Sequence, residues 1–203
     1  MTRILIKEFI RKSIHLCSAL LPFMLSKSHD VVVGLLIFAL VFYCVAEFLR
    51  LKGVNVFLVS VVTEAAARKR DENKFVLGPV TLVIGILGAI FLWQPLAAAI
   101  GIYALAFGDG LASLSGKLFG CVKIPLTDGK SAAGSLTCFA AIFISTYLAL
   151  YFAPQAGVQD ITLLALKIAT VGMLIEVLPL KDLDNIVIPV VLGGLAQLQL
   201  FAM

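Results

Sequence analysis

The sequence contains few charged residues. Only 14% of its 203 residues are charged and 61% are apolar, whereas soluble globular domains carry about 25% charged residues. This scarcity excludes a soluble domain, because the uncharged apolar runs reach the roughly 20 residues that a bilayer-spanning helix needs. These runs leave no segment long enough for a separate soluble catalytic domain. The sequence therefore predicts an all-α polytopic integral membrane helix bundle, with residues 1–203 forming a single membrane domain.

Cysteine spacings typical of metal-binding or disulfide-rich proteins are also missing. The four cysteines, Cys17, Cys44, Cys121 and Cys138, form no C-x-x-C pair, which argues against a zinc site or a disulfide framework. The net charge is only +4, so we expect no nucleic-acid partner. The N-terminus is basic and then apolar, but it contains Pro22 and lacks a small-residue cleavage motif. We therefore expect a retained first span rather than a cleaved signal peptide.

Charges and turn residues divide the apolar sequence into seven predicted transmembrane helices. Residues 54–66 are also apolar, but this segment is too short for a comfortable crossing. On a helix, Ser60, Thr63, Glu64 and Ala67 would share one face, so we expect an interfacial or re-entrant helix there. The predicted spans lie near residues 13–27, 30–49, 76–93, 95–115, 132–152, 161–179 and 185–201.

The distribution of basic residues predicts the orientation of the bundle, because Lys and Arg concentrate in cytoplasmic loops. With a cytoplasmic N-terminus, fourteen of the sixteen Lys and Arg residues fall on the cytoplasmic side, whereas Lys27 faces the other side and Lys167 lies within a span. A full crossing by residues 54–66 would place residues 68–74 opposite Arg50 and Lys52. We therefore predict a cytoplasmic N-terminus and a C-terminus on the opposite side.

Polar side chains near the predicted span ends point to a site at the cytoplasmic face. Asp109 lies about six residues inside its span, hence roughly 9 Å deep at 1.5 Å per residue. A charge at that depth is expensive and usually functional, so it needs a cation, a partner or water. We expect a polar cavity open to the cytoplasm. Other polar residues near the same face are Arg11, Lys12, His15, Glu47, Arg50, Lys117, Glu176, Asp184 and Asn185.

The segment from Gly108 to Ser135 combines glycines, lysines and serines. Gly116 and Gly120 have G-x-x-x-G spacing, which lets a helix or a ligand approach the backbone. Residues 130–135 (KSAAGS) place a lysine, hydroxyl groups and free backbone N–H groups at the start of a predicted helix, where phosphate binds readily. The segment is not a Walker A loop, because its glycine spacing is wrong.

Each of these features also has a purely structural interpretation. Glycines at this spacing commonly serve helix packing, and Lys123 and Lys130 could simply set the topology. His15 could be a hydrogen-bonded core residue, and Glu47 with Arg50, at i,i+3, could be an ordinary ion pair. Pro179 and Pro189 could merely end and begin helices, although the carboxylate and amide between them are oxygen ligands suited to magnesium.

Taken in order, these motifs resemble the family of polyprenol and lipid-alcohol kinases that includes dolichol kinase, phytol kinase and yeast-type diacylglycerol kinase, which are membrane enzymes that use CTP. The resemblance covers most of the chain and rests on the order of the motifs at one membrane face. It departs at Leu183, where family members often have a second acidic residue. The motifs are Arg11-Lys12-x-x-His15, Glu47-x-x-Arg50, Gly78-Pro79, Gly108-Asp109 with Ala112, Gly116 and Gly120, Lys130-Ser131-x-x-Gly134-Ser135, Glu176, Asp184-Asn185 and Pro189.

The resemblance implies transfer of the terminal phosphoryl group of CTP to the hydroxyl of a lipid alcohol, with Mg²⁺ as cofactor. It implies metal binding by Asp109, Asp184 and Asn185. It implies that the nucleotide phosphates are held by Lys117, Gly120, Lys130, Ser131, Gly134 and Ser135. The residues closest to the chemistry would be Asp109, Lys117 and Glu176, with Glu176 as a metal ligand or as the base for the alcohol proton. The lipid hydroxyl side would include Arg11, His15 and Glu47.

Two other functions fit parts of the pattern. Phosphatidate cytidylyltransferases resemble this family and also use CTP, but they attack a different phosphorus, and family-level analogy does not separate the two reactions. A cation transporter would use Asp109 and Glu176 as an intramembrane ion path. Transporters commonly show internal repeats and polar groups near the midplane, whereas this chain shows no repeat and groups its polar residues at one face. The expected partners are CTP, a lipid alcohol and the membrane.

Overall fold

The structure is a computed structural model that describes residues 2–54, 59, 63, 74–125, 127, 129–154 and 158–201. All regular secondary structure in these ranges is helical. The helices are α1 (Thr2–Cys17), α2 (Leu21–Lys27), α3 (His29–Leu51), α4 (Gly78–Leu92), α5 (Pro95–Tyr103), α6 (Gly110–Leu118), α7 (Ala132–Tyr151), α8 (Ile161–Val177) and α9 (Asp184–Phe201), with a π-helical turn at Ala104–Asp109 between α5 and α6.

Three helices within the described ranges are long and apolar enough to cross a membrane. They are His29–Leu51, Pro95–Leu118 and Ala132–Tyr151, and Gly78–Leu92 and Asp184–Leu200 are shorter apolar helices. These findings confirm an all-helical protein with membrane-spanning helices, while the total of seven spans stays a prediction. The predicted interfacial helix at 54–66 lies outside the described residues, apart from positions 54, 59 and 63.

The first predicted span, residues 13–27, covers only part of the N-terminal helical region. Helix α1 already begins at Thr2, a tight 3-10 turn follows at Ser18–Leu20, and Pro22 lies in the first turn of α2. Proline fits there because the first N–H groups of a helix have no partner within the helix. Hydropathy missed the early start because the polar residues Glu8 and Lys12 are buried against the protein rather than exposed to water.

Glycines let α9 pack directly on the backbones of α4 and α5. A Cβ at Gly85 would lie 2.0 Å from the carbonyl oxygen of Asn185, and one at Gly101 would lie 2.2 Å from that of Pro189. Close backbone approach through small residues is the usual way in which helices associate in a membrane. These two contacts fix the N-terminal half of α9, and with it the residues at its start.

The core contains fully buried branched side chains from α5, the π turn, α7 and α8, such as Ile100, Leu105, Ile142 and Ile168. Large apolar side chains also cover the outside of the bundle, among them Phe38, Phe91, Leu136 and Phe152. An apolar outer surface would cost free energy in water but suits contact with lipid acyl chains.

Candidate active site

A cavity of about 310 Å³ lies where the ends of several helices meet. Its walls come from the middle of α1, the end of the π turn, α6, the start of α7, the end of α8 and the start of α9. Among the described residues that line it, six are cationic and three are carboxylates, so the cavity favours a ligand with several negative charges. The cations are Arg11, Lys12, Lys117, Lys123, Lys130 and Lys181, and the carboxylates are Asp109, Glu176 and Asp184.

Asp109 is the last residue of the π turn and pairs with Lys12 of α1. The Nζ of Lys12 lies 2.5 Å from Oδ2 of Asp109, and both side chains are buried. A buried charge without an opposite charge beside it is strongly destabilising. The sequence predicted that Asp109 needs a cation or another partner, and the structure identifies Lys12 as that cation. The π turn is consistent with a functional position, because such turns are frequent at functional sites.

A chain of hydrogen bonds runs behind Asp109, away from the cavity. The Nε2 of His15 lies 3.0 Å from Oδ1 of Asn185 and 3.4 Å from Oδ2 of Asp109. The amide nitrogen of Asn185 donates to Oγ1 of Thr81 at 3.0 Å and to the carbonyl of Gly78 at 3.4 Å. His15 and Asn185 therefore support Asp109 from the protein side, with both ends of the Asn185 amide already bonded.

Glu8 of α1 connects the cavity wall of α1 with that of α6. Its carboxylate forms ion pairs with Arg11 and Lys117 and accepts a hydrogen bond of 2.6 Å from the hydroxyl of Ser113. Burial alone would raise the pKa of Glu8, but the adjacent Arg11 and the hydrogen bonds from Lys117 and Ser113 outweigh it and lower the pKa to about 2. Glu8 is thus ionised at neutral pH.

Lys130 and Glu176 form a second ion pair in the cavity wall. The Nζ of Lys130 lies 3.3 Å from Oε1 of Glu176, and the hydroxyl of Ser135 donates to Oε2 of Glu176 at 3.2 Å. This pair joins the loop before α7 to the end of α8. It therefore places one carboxylate beside the start of α7, where phosphate was expected.

The start of α7 is built tightly against α6. Ser131 is the N-cap of α7, and its hydroxyl accepts a hydrogen bond of 3.2 Å from the backbone N–H of Gly134. A Cβ at Gly134 would lie 2.9 Å from the carbonyl of Ala112. A Cβ at Gly120 would lie 2.0 Å from the carbonyl of Gly116. The glycines therefore keep α6 and the α7 N-terminus close enough to form one wall.

Glu47 lies in a different cluster. It is fully buried and accepts two hydrogen bonds of 2.8 Å from Arg50, one from Thr63 and one from the backbone N–H of Val76. Arg50 also donates to the carbonyl of Lys74. Glu47 does not line the cavity that the described residues form. Its contacts fix the backbone just before α4, which is the structural interpretation left open above.

Most of the residues expected at the site surround this cavity, several others lie next to it, and Glu47 lies in a different cluster. The lining includes Arg11, Asp109, Lys117, Lys130, Ser131, Gly134, Glu176 and Asp184. His15, Ser135 and Asn185 touch lining residues from behind, Gly120 packs against Ser131, and Glu47 is elsewhere.

Glu8 and Lys181 were not expected at the site from the sequence, and Lys12 and Ser113 had no predicted role there. A signal for Glu8 exists, because Glu8, Lys12 and His15 recur at the four- and three-residue spacing of one helix face. The sequence contains no such signal for Lys181. In the structure this lysine stands out by its positive φ of 59°. Such a conformation is uncommon outside glycine, asparagine and aspartate.

The donor atoms of the cavity fit magnesium bound together with a nucleotide. Within the described ranges, no group of three or more His, Cys, Asp and Glu side chains could hold a metal ion. Magnesium usually takes only one or two carboxylates from a protein and completes its shell with phosphate oxygens and water. Asp109 and Asp184 can supply those carboxylates. Arg11 also lines the cavity, and its buried Nε has no hydrogen-bond partner among the described residues.

Comparison with curated proteins relates the chain to plant kinases. It is 30% identical over 150 residues, which are 68% of this chain, to phytol kinase 1, chloroplastic, of Arabidopsis thaliana and covers 49% of that protein. It is 32% identical over 143 residues to farnesol kinase, chloroplastic, of the same plant, with 66% of this chain and 46% of that protein covered. It is 28% identical over 148 residues to a probable phytol kinase, chloroplastic, of Zea mays, with 68% of this chain and 48% of that protein covered.

These matches confirm the resemblance that the motifs predict. The chain spans about half the length of the curated relatives it matches. No protein-family model matches the chain. No solved structure matches it either.

Proposed function

Because the chain belongs by sequence to the family of phytol and farnesol kinases, we propose that it transfers the γ-phosphoryl group of CTP to the hydroxyl of a lipid alcohol. The acceptor is an isoprenoid alcohol of the phytol, farnesol, polyprenol or dolichol type, or diacylglycerol. The reaction takes place at the cytoplasmic face of the membrane. The relatives' names suggest the acceptor class and the type of reaction, while the use of CTP rests on the motif resemblance.

The observation that carries this proposal is the cavity with its excess of cations. A nucleoside triphosphate brings several negative charges, and phosphoryl transfer depends mainly on positioning and on neutralising those charges. Among the described lining residues, six cationic side chains face three carboxylates. Lys12 and Lys130 are paired with cavity carboxylates, whereas Arg11 and Lys117 share one carboxylate, that of Glu8 behind the wall. With Glu8 included, cations still outnumber these carboxylates, and this excess supports a polyphosphate ligand.

The nucleotide phosphates bind between α6 and the start of α7. Lys117 and Lys130 supply ammonium groups, and the N-terminus of α7 supplies backbone N–H groups near Ser131 and Gly134. Ser135 holds Glu176 beside this end, and Gly120 keeps the two walls close. The unpartnered Nε of Arg11 suits a phosphate oxygen better than a lipid hydroxyl, so we move Arg11 to the nucleotide side.

Asp109 and Asp184 are the residues that would hold Mg²⁺. Such an ion would neutralise charge on the phosphate oxygens as the γ-phosphoryl group leaves. We give Asn185 a different part from the one the resemblance implies, because its amide is bonded to His15, Thr81 and Gly78. Its part is to orient His15, which in turn contacts Asp109.

The transfer itself balances as one substitution at phosphorus. The alcohol oxygen forms a bond to the γ-phosphorus, the bond from that phosphorus to the β–γ bridging oxygen breaks, and CDP leaves. The alcohol proton passes to the carboxylate of Glu176. Glu176 is bound to Lys130 in this structure, so the phosphates that attract Lys130 also free the carboxylate to accept a proton. The lipid alcohol enters the cavity sideways from the bilayer.

Two differently labelled nucleotides test the proposal. Purified protein in lipid nanodiscs is incubated with magnesium, a lipid alcohol and CTP that carries radiolabel at either the γ or the α phosphorus. Phytol, farnesol, dolichol and diacylglycerol serve as separate acceptors. We expect label in the lipid product from the γ position alone, and we expect its loss when EDTA is added.

Two variants with the same change of charge are compared, one at the proposed metal site and one as a control. Asp109→Asn alters the proposed metal site and should give no labelled lipid. Asp160→Asn removes an exposed carboxylate at the N-cap of α8, and asparagine also caps helices well, so this variant should remain active. Phosphatidate added as a separate acceptor and labelled from the α position would instead indicate cytidylyltransferase chemistry, because that reaction attaches the CMP group to a lipid phosphate and releases pyrophosphate. Absence of label in all four acceptors would contradict the proposed reaction.

A further inference from the structure

Glu8 forms several charged contacts at the site, although nothing in the proposed reaction uses it. It is buried, with 6% of its surface exposed. Three donors from two helices reach its carboxylate: Arg11 of its own helix, and Ser113 and Lys117 of α6. A buried carboxylate with three donors is well stabilised. The contacts therefore tie α1 to α6 through one charged group.

Glu8 lies behind the cavity wall and not in it. Arg11, Ser113 and Lys117 all line the cavity, whereas Glu8 does not belong to its lining within the described residues. The carboxylate thus lies behind the wall and binds three wall residues from the protein side. If the carboxylate of Glu8 merely occupied the place of a phosphate group, it would face the cavity.

Both cations keep donor atoms for a ligand while they are bound to Glu8. Arg11 uses its Nη2 for Glu8, and its buried Nε has no hydrogen-bond partner. The ammonium group of Lys117 has three hydrogens, of which the contact with Glu8 uses one. A flexible lysine or arginine loses much rotamer freedom when it binds phosphate. A fixed carboxylate behind it removes part of that cost in advance.

We infer that Glu8 is a positioning residue that holds Arg11 and Lys117 in the orientation in which their remaining donor atoms meet the nucleotide phosphates. This inference rests on the proposed nucleotide site and deepens it. Glu8 touches neither substrate. It acts through the two cations and joins the α1 wall of the cavity to the α6 wall.

Length and charge of the side chain can be separated by two variants. Glu8→Gln keeps the length and removes the charge, and we expect it to weaken binding of CTP, in the presence of magnesium, by about tenfold or more. Glu8→Asp keeps the charge but draws the carboxylate back by one methylene group. Because positioning needs reach as well as charge, Glu8→Asp should also weaken CTP binding, by about threefold or more.

A double-mutant cycle tests whether Glu8 acts through Lys117. The variants are Glu8→Gln, Lys117→Gln and the double variant, and the measurement is the dissociation constant of radiolabelled CTP. If the two residues act as one unit, the double variant loses less affinity than the product of the two single losses. Multiplying losses would mean that Glu8 acts independently of Lys117, and that result would overturn the inference.

Steady-state kinetics separate positioning from a general loss of structure. In Glu8→Gln, the KM for CTP should rise while the KM for the lipid alcohol stays the same. Dissociation constants are measured on the folded fraction, so poor folding lowers the amount bound but not the constant. Asp160→Asn is the matched control for the charge change and should keep the CTP affinity of the unaltered protein.

The outcomes distinguish this inference from the proposed function. If the unaltered protein binds no CTP, the proposed function fails. If the unaltered protein binds CTP and both Glu8 variants bind it equally well, only the positioning role fails. Tighter binding by Glu8→Gln would also overturn the inference, because it would show that the carboxylate competes with phosphate for the two cations.

Discussion

At the scale of single residues, the cavity holds cations that already have partners within the protein. Lys12 is bound to Asp109 and Lys130 is bound to Glu176. In each pair, the carboxylate and the ammonium group stabilise each other while no nucleotide is bound. Removing one member therefore changes stability as well as ligand binding, and experiments on this site must separate the two effects.

Asp109→Asn should lower both stability and activity. The substitution leaves the ammonium of Lys12, which is 3% exposed, without a counter-charge, and breaking a buried pair in this way costs about 3–5 kcal/mol. The double variant Lys12→Met/Asp109→Asn removes both charges, so its melting temperature should recover toward that of the unaltered protein. Its phosphoryl transfer should stay absent, because the proposed metal ligand is gone.

Thermal unfolding in nanodiscs and the labelled-CTP assay check this prediction together. A single variant as stable as the unaltered protein would contradict the importance of the ion pair. Near-normal turnover by Asp109→Asn at limiting magnesium would contradict the metal role. The two results are independent, so either part can fail alone.

Lys181 offers a test in which stability and binding change in opposite directions. Its φ of 59° is a left-handed conformation that costs a non-glycine residue about 1–2 kcal/mol. Its side chain also lines the cavity. Lys181→Gly should therefore raise the melting temperature but weaken CTP binding by about three- to fivefold, as expected for the loss of an exposed cation.

Lys181→Arg is the matched control, because it keeps the charge and the backbone cost. It should bind CTP like the unaltered protein and show no gain in stability. If Lys181→Gly is more stable and binds CTP normally, Lys181 does not belong to the nucleotide site. The backbone conformation would then have no link to binding.

At the scale of helices, the sequence predicted the apolar helices better than the polar first helix. Predicted spans at 30–49, 132–152 and 185–201 agree closely with His29–Leu51, Ala132–Tyr151 and Asp184–Phe201. Long apolar runs between turn residues determine such helices. Helix α1 begins well before the predicted span 13–27, because its polar face is buried by tertiary contacts, which hydropathy does not detect.

Side-chain partners within the site were less predictable than helix boundaries. The depth of Asp109 indicated that it needed a cation, but it did not identify Lys12, which lies 97 positions away in the sequence. Apart from Asp109, the π turn at Ala104–Asp109 consists of small and apolar residues with no local signal for that geometry. Partners of this kind depend on how α1 meets α6, which is a property of the folded bundle.

The contact between α6 and α7 gives a prediction for a helix pair. Gly134→Ala would place a Cβ 2.9 Å from the backbone carbonyl of Ala112, and that carbonyl cannot turn aside as a flexible side chain could. The two helices must therefore separate slightly. We expect a lower melting temperature and weaker CTP binding, because the α7 N-terminus and the α6 wall both contribute to the phosphate site.

Gly34→Ala in α3 is the matched control. A Cβ at Gly34 meets nothing within 4 Å, so alanine should be neutral or stabilise the helix by up to about 1 kcal/mol. Both variants are compared by thermal unfolding and CTP binding. Normal stability and normal CTP affinity in Gly134→Ala would show that close approach of α6 and α7 is not required.

At the scale of the whole molecule, charge and cavity lie at the same end. The lysines that line the cavity are among those that determined the predicted orientation, including Lys117, Lys123, Lys130 and Lys181. Positive residues in cytoplasmic loops both orient a membrane protein and attract polyphosphate. In the proposed function, one set of charges serves both insertion and nucleotide binding, so a site at the other face would contradict both the predicted orientation and the proposed site.

Cysteine accessibility tests the predicted orientation. Cys121 is an exposed residue in the loop before α7, and replacing Cys17, Cys44 and Cys138 by serine leaves it as the single thiol. A membrane-impermeant maleimide should label Cys121 only from the cytoplasmic side, because this loop contains Lys123 and Lys130. With Cys121 also replaced by serine, Gln159→Cys in the loop before α8 should react only from the opposite side. Labelling of Gln159→Cys from the cytoplasm, or of Cys121 from the other face, would show that the bundle has the opposite orientation. The cavity would then face away from the compartment that supplies CTP.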